Sequence, residues 1–413
     1  MVNKRKIYFR ADASAKIGYG HFVRTLALAD MLKDVFDCTF FTQSPTEYQR
    51  VEVKKVCPLV ELPSDDSKFD IFYDILCGDE VVVLDNYFFS TEYQRKIKRK
   101  GCKLVCVDDI HDKHYVADIV INHGLNNPDF FSKEPYTLLC LGLDWAMLRR
   151  PFLQPNDKVK KEKGSWFISF GGSDYYNLTE KFVRLIRRSG QLNKITAVVG
   201  DAYKYIDTLK GFENVSALKK LTAEQMSDVM RKSEFAILPA SSVCLEALSQ
   251  NCIVYTGFYV DNQEDVYACL KEQKLVFPLG DLNNIDNFSP DDFYVKHLKP
   301  HYVDFSLIPL KYKLLFNSLG SSFVYEGLTF VDYVSLSLDN HRHVWEARNH
   351  EDIRKCMDSS DLIPWSSHCK FVDRLFFCSQ RRYWAVYKND VFIGSVNISY
   401  ITDVKVERGI FIA

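Results

Sequence analysis

The stretch Arg10-Ala-Asp-Ala-Ser-Ala-Lys-Ile-Gly-Tyr-Gly-His-Phe-Val-Arg24 decides how this chain is read. It runs from the end of a short apolar strand, Lys6–Arg10, through a glycine-containing loop into a helix that opens near Gly20. Strand, loop and helix in that order are the opening unit of a parallel sheet, whose ligands bind at the carboxyl ends of the strands. Gly18 and Gly20 permit close backbone approach there, and His21 falls in the first helical turn. The positive end of the helix dipole disfavours an imidazolium, which leaves a neutral ring able to take a proton from water near pH 7. His21 is therefore the candidate general base, with Asp12 as its candidate orienting acid and Arg10 as a ligand contact.

Outward from that stretch the alternation continues. Cys38–Thr42, Val81–Asp85, Lys103–Asp108, Ile119–Asn122 and Leu138–Gly142 read as further strands separated by helix-patterned segments. A charged run, 155–164, reads as a linker, after which Trp166–Phe170 starts a second series. Its strands are expected at Ile195–Val199, Phe235–Leu238 and Ile253–Tyr255, and its helices at Leu178–Arg188, Ala223–Lys232, Ser242–Gln250 and Gln263–Lys274. The expected division is 1–154, 165–320 (with Leu307–Leu319 as a closing helix) and a third region, 328–413. In that region a strand at Thr329–Leu336, helices through Phe376 and strands at Tyr383–Tyr387, Val391–Ser399 and Val406–Ile412 make an incomplete α+β unit. Its last strand leaves a sheet edge that is either exposed or covered by a partner or a second copy.

Bulk properties exclude several classes. With 413 residues and 47% hydrophobic content, more than one core is expected. The 53 basic and 54 acidic side chains leave a net charge of −1, so neither nucleic acid nor an anionic membrane is an expected partner. The 12 cysteines are scattered and form no Cys-x-x-Cys pair, which reads as reduced thiols in a cytoplasmic protein rather than a zinc site or disulfide scaffold. No leader-like segment and no stretch approaching roughly 18 apolar residues is present, so a soluble chain is expected.

Four further segments sit where a strand of the second series meets a helix, or face it from the first. In Phe170-Gly-Gly-Ser-Asp174, Gly171, Gly172 and Ser173 would let backbone N–H groups face a diphosphate, although the Gly-Lys-Ser/Thr ending of an ATP-binding loop is missing. In Pro239-Ala-Ser-Ser-Val-Cys-Leu-Glu-Ala-Leu248, Ser241 and Ser242 either cap the helix or donate to phosphate, and Glu246 suits a ribose diol. Tyr87, after the strand that ends at Asp85, would hydrogen-bond sugar or water beside His21, while Asn262 and Gln263 would face nucleotide or sugar hydroxyls. Asp108, Asp109 and His111 read as a solvated loop.

Taken in order, Arg-Ala-Asp-x-Ser-x-x-Ile-Gly-x-Gly-His at 10–21, Asp-x-Tyr at 85–87, Gly-Gly-Ser-Asp at 171–174, Ser-Ser-x-x-x-Glu-Ala at 241–247 and Asn-Gln-Glu at 262–264 resemble a known family. It is the UDP-2,4-diacetamido-2,4,6-trideoxy-β-L-altropyranose hydrolases of pseudaminic acid biosynthesis. The resemblance implies a glycosyltransferase-B-like pair of Rossmann-type domains, a UDP-sugar as substrate and water as acceptor. It also implies catalysis by His21 with Tyr87 in the active site, and neither cofactor nor metal. Trp345-Glu-Ala-Arg-Asn349, Ile353-Arg354, Met357, Ile363, His368, Phe371, Tyr383-Trp-Ala-Val-Tyr387 and Ile393-Gly394 resemble the first half of a GNAT-family N-acetyltransferase. The loop that binds the acetyl-CoA pyrophosphate in that family has no counterpart in the 413 residues, so this partial GNAT-like α+β domain is not expected to acetylate by itself. Competing readings are a transferase of the same fold with a hydroxyl acceptor, a hydrolysing UDP-sugar 2-epimerase, and a silent nucleotide-sugar-binding scaffold.

Overall fold

The structure is a computed structural model that describes residues 4–14, 18–154, 159–171, 174–188, 193–287, 289, 303–319, 322–357, 359–378, 380–402 and 405–413. The chain divides into two compact units, one of residues 1–33 and 37–306 and one of residues 34–36 and 307–413.

The first unit holds two large parallel sheets and a two-stranded parallel pair, His114–Tyr115 with Ser132–Lys133. Strands β1 (Lys6–Ala11), β2 (Asp37–Gln43), β3 (Leu59–Leu62), β4 (Val81–Asp85), β5 (Lys103–Val107), β6 (Ile119–Asn122) and β7 (Leu138–Leu141) lie in the order 3-2-1-4-5-6-7. Val81-Val-Val-Leu-Asp85 is buried at every position, as a central strand covered on both faces must be. Four helices accompany this sheet: α1 (Gly20–Leu32), α2 (Glu47–Lys54), α3 (Ser67–Ile75) and α4 (Thr91–Arg99). The second sheet repeats the winding with β8 (Glu162–Ile168), β9 (Ile195–Val198), β10 (Val215–Leu218), β11 (Ser233–Pro239), β12 (Ile253–Phe258) and β13 (Phe277–Asp281), in the order 10-9-8-11-12-13. Its longer helices are α5 (Leu178–Arg188), α6 (Ala223–Lys232), α7 (Ser242–Ser249) and α8 (Glu264–Glu272). Trp166, Ile168, Phe182, Ile186, Ile237 and Tyr255 are among the residues that fill its core. In both sheets the first strand is central and the winding reverses beside it, which is where an open α/β sheet offers a ligand crevice.

The second unit is a five-stranded antiparallel meander of β14 (Ser322–Tyr325), β15 (Leu328–Asp332), β16 (Arg381–Lys388), β17 (Val391–Thr402) and β18 (Lys405–Ile412). Helices α9 (Ile308–Ser318), α10 (Leu338–Asn349) and α11 (Trp365–Leu375) belong to it. Two expectations change here. The helix around Leu307–Leu319, expected to close the second α/β half, groups with the second unit: Leu310 and Leu314 of α9 cluster with Cys369 and Val372 of α11. The strand expected over Thr329–Leu336 stops at Asp332, whose carboxylate accepts from the Val334 N–H at 3.1 Å and turns the chain into a single 3-10 turn. Strand β18 ends the sheet, with Ile410 67% and Ile412 78% exposed. No helix among the described residues is long and apolar enough to cross a membrane.

Two buried histidines make the second unit acid-sensitive. His341 donates through Nε2 to the Tyr333 carbonyl at 2.7 Å, so its Nδ1 accepts from His368 Nε2 at 3.2 Å. Burial, and for His341 also its neighbour His368, lowers their pKa values from 6.5 to about 3 for His341 and about 4 for His368. The unfolded chain therefore takes up protons first. The stability of the neutral pair is full above pH 6.5 and is lost as pH falls from 6.5 towards 4, by roughly 2 kcal/mol per histidine between pH 7 and 5. Trp365 stacks on His368 at 5.6 Å, so urea unfolding followed by tryptophan fluorescence reports it. A midpoint that does not move between pH 7 and 5 would contradict this.

Candidate active site

The carboxyl ends of β1, β4 and β5 meet the start of α1. His21, the second residue of α1, is 6% exposed and its Nδ1 lies 2.7 Å from Asp85 Oδ1. Asp85 ends β4 and is fully buried. Arg24, one turn along α1 from His21, donates from Nε to Oδ2 at 2.7 Å and from Nη2 to Oδ1 at 2.6 Å, and the Thr25 hydroxyl donates to Oδ2 at 2.6 Å. Burial alone would raise the Asp85 pKa, but the Arg24 guanidinium and His21 hold it well below the usual carboxylate range. An ionised carboxylate only accepts, so Nδ1 of His21 carries a proton, and in the neutral ring the lone pair lies on Nε2. Arg24 Nη2 lies 3.0 Å from Nδ1 because both donors share Asp85 Oδ1.

Asp109, expected in a solvated loop, is instead ion-paired to Arg24. Burial opposes its ionisation, but Arg24 overrides this and lowers its pKa. Its other oxygen accepts from the Tyr87 hydroxyl at 3.1 Å. The Tyr87 ring stands edge-on to His21 at 4.6 Å and 83°, and its oxygen accepts from Asn262 Nδ2 at 3.0 Å. Burial and Asp109 push the phenol well above its ordinary pKa, so Tyr87 keeps its proton. His21, Tyr87 and Asn262, far apart in sequence, thus meet in one hydrogen-bonded group. Asp108 is spent on its own turn, accepting from the His111 N–H, the Tyr115 hydroxyl and Asn122 Nδ2.

The remaining candidates divide. Asp12 does not orient His21: it pairs with Arg10 through Nη2 at 2.7 Å and accepts from the Gln43 N–H at 2.8 Å. Asp85 takes the orienting position. Ala11 is the register partner of Asp85, and side-chain alternation turns Arg10 and Asp12 to the other face. Arg10 and Asp12, 1% and 0% exposed, engage each other on that face. Gly18, at φ +83°, donates its N–H to the Ser14 carbonyl at 2.8 Å, and a Cβ at Gly18 or Gly20 would meet nothing within 4 Å.

In the second half Gly171 adopts φ +79°, with open space where a Cβ would stand. Gly172 and Ser173 lie outside the described residues. Asp174 caps α5, accepting from the Leu178 and Thr179 N–H groups at 2.8 Å each, so those donors are not offered to an anion. Ser241 precedes Ser242 at the start of α7 and makes no side-chain cap, so it leaves the first N–H groups of that helix uncapped by a side chain. Gln263 turns inward, 8% exposed, and accepts from the Tyr259 N–H at 3.1 Å, so of the pair only Asn262 reaches the site. Glu246 accepts from Arg149 Nε and Nη2 at 2.7 Å each, in a bidentate pair that occupies the edge expected to meet a ribose. Replacing Arg149 with methionine leaves that carboxylate buried and unpaired. A loss of about 2 kcal/mol is expected, discounted because Arg149 is partly exposed. An unchanged urea midpoint would show the pair to be dispensable.

Sequence reasoning gave no role to Asp85, Arg24 or Asp109. Asp85 and Asp109 were visible as acids closing apolar strands, but which of them faces α1 depends on strand order.

No family model matches the chain. It is similar to the UDP-2,4-diacetamido-2,4,6-trideoxy-beta-L-altropyranose hydrolase of Campylobacter jejuni, 26% identical over 278 residues, which cover 65% of this chain and 97% of that one. Among solved structures, UGT89C1 of Arabidopsis thaliana superposes with a TM-score of 0.51 at 9% identity, covering 76% of this chain and 95% of that one. The fold is a glycosyltransferase-B-like pair of Rossmann-type halves, followed by a small antiparallel sheet. The N-acetyltransferase PseH of Campylobacter jejuni, solved with acetyl coenzyme A, matches 21% of this chain and 53% of that one at TM-score 0.16 and 18% identity, too slight a likeness to describe the second unit.

Proposed function

We propose that this chain hydrolyses UDP-2,4-diacetamido-2,4,6-trideoxy-β-L-altropyranose to UDP and the free 2,4-diacetamido-2,4,6-trideoxy-L-altrose, a step of pseudaminic acid biosynthesis. The observation that carries the reading is the His21–Asp85 contact of 2.7 Å at the start of α1, in a chain that covers 97% of a hydrolase of that substrate. Nε2 of His21 takes a proton from water as the water oxygen bonds to the anomeric carbon with inversion. The bond from that carbon to the phosphate oxygen breaks, and its electron pair leaves with UDP. Asp85 stabilises the imidazolium that forms. The diphosphate would rest on the Gly171 turn and the uncapped start of α7 at Ser241 and Ser242, where backbone N–H groups suit an anion. Tyr87, protonated and edge-on to His21, would donate to the sugar or to the attacking water.

The test is to incubate the chain with the UDP-sugar, follow UDP release, and identify the freed sugar by NMR. Release of UDP with an unepimerised sugar is the expected result. A 2-epimer among the products would reassign the chemistry, and no release without a hydroxyl acceptor would sink the hydrolase reading.

A further inference from the structure

His123 follows the last residue of β6 and has no part in the scheme above. Its backbone is held firmly. The Gly142 N–H donates to the Asn122 carbonyl and the Gly124 N–H to Asn122 Oδ1, both at 2.9 Å, and a Cβ at Gly124 would come within 2.5 Å of Val266 Cγ2 on α8. Val107 and Ile121 are register partners, so alternation carries Asp109 and His123 onto one face beyond the strand ends. That is the face on which Arg24 holds Asp85 and Asp109. The His123 side chain is 3% exposed, and its Nδ1 is buried with no hydrogen-bond partner.

Buried polar atoms left without a partner are few in native proteins, and at a ligand-binding end of a sheet the missing partner is readily a ligand group. The chemistry of the ring limits which one. Burial, then the Arg24 guanidinium, lowers the His123 pKa from 6.5 to about 4, so the imidazole is neutral in the working range. A neutral ring beside a guanidinium is poorly suited to a diphosphate and well suited to an amide or hydroxyl. With no partner on Nδ1 to select a tautomer, it can accept from an N–H or O–H, or donate to a carbonyl.

The geometry points to His123 as the residue that reads a neutral polar substituent of the sugar, an acetamido group or a ring hydroxyl, bound over the Arg24–Asp109 pair. This rests on the UDP-sugar function proposed above. In the full chain, His123→Phe is expected to raise KM for the UDP-sugar about tenfold with kcat little changed, the size of one lost hydrogen bond at a buried nitrogen. UDP alone, measured by calorimetry, should bind as it does to the unsubstituted chain. His123→Gln, which keeps a hydrogen-bonding group, should recover most of the loss, and His123→Leu replaces the phenylalanine variant where that does not fold. An unchanged KM, an equal loss of UDP affinity, or a glutamine variant no better than the apolar one overturns the assignment. If the unsubstituted chain binds the UDP-sugar but releases no UDP, the hydrolase reading fails while His123 is still tested by the same comparison of affinities. Failure to bind the UDP-sugar overturns both.

Discussion

His21→Ala is expected to lower kcat for UDP release about 10²- to 10⁴-fold, the range a positioned general base contributes. The nucleotide contacts proposed for the second half are untouched, so KM should stay within a few-fold. Stability should change little as well, because Asp85 retains Arg24 and Thr25 when the imidazole is gone. Steady-state kinetics and a urea titration on the same preparation separate the two effects. Release as fast as in the unsubstituted chain would remove His21 from the chemistry, whatever else the protein does.

Asp85→Asn should be nearly as damaging to the rate and more damaging to the fold. A neutral amide can turn either its oxygen or its NH₂ towards Nδ1, and with the NH₂ inward the proton is forced onto Nε2, where the base needs its lone pair. Even in the favourable orientation, the imidazolium loses the carboxylate that stabilises it. A fall of about 10²-fold or more in kcat at unchanged KM is expected. Arg24 meanwhile loses one of its two acids, at a cost of about 3 kcal/mol, since breaking a buried pair strands a charge and Asp109 compensates only in part. The sign with pH follows from the depressed Asp85 pKa. Its ion pair contributes fully above the unfolded value, 3.8, and is lost only as pH falls further through the folded one. The asparagine variant should therefore be the less stable protein throughout the neutral range. A purely structural Asp85 would lower the urea midpoint and leave kcat of the remaining folded protein intact.

Much of the fold was legible because its physics is local. Val81–Leu84 is an unbroken apolar run closed by Asp85, as a strand buried on both faces needs, and it appears as written. The short strands β3 and β10 were missed because half-exposed runs of four residues have no clear period, and β14 because four residues are too few to show one. Tyr87 and Asn262, expected at the same cleft because each follows a strand end, are joined by a hydrogen bond of 3.0 Å. The Asp12 expectation failed although its disproof was in the chain: it lies two residues from Arg10, hence on the same face, and the pair neutralises itself. The pairing of Glu246 was hidden for a different reason, because its partner, Arg149, is 97 residues away.

By itself the sequence determined that two α/β windings follow one another, where their loops meet helices, and that a histidine stands at the first of those junctions. These follow from side-chain periodicity and from the need for glycine at φ +83° and +79°, at Gly18 and Gly171, both properties of adjacent residues. Only the tertiary structure decided which carboxylate serves that histidine. The strand order puts β4 beside β1 with Asp85 opposite Ala11, so the acid 64 positions away reaches His21 while the nearer Asp12 faces the other side of the sheet.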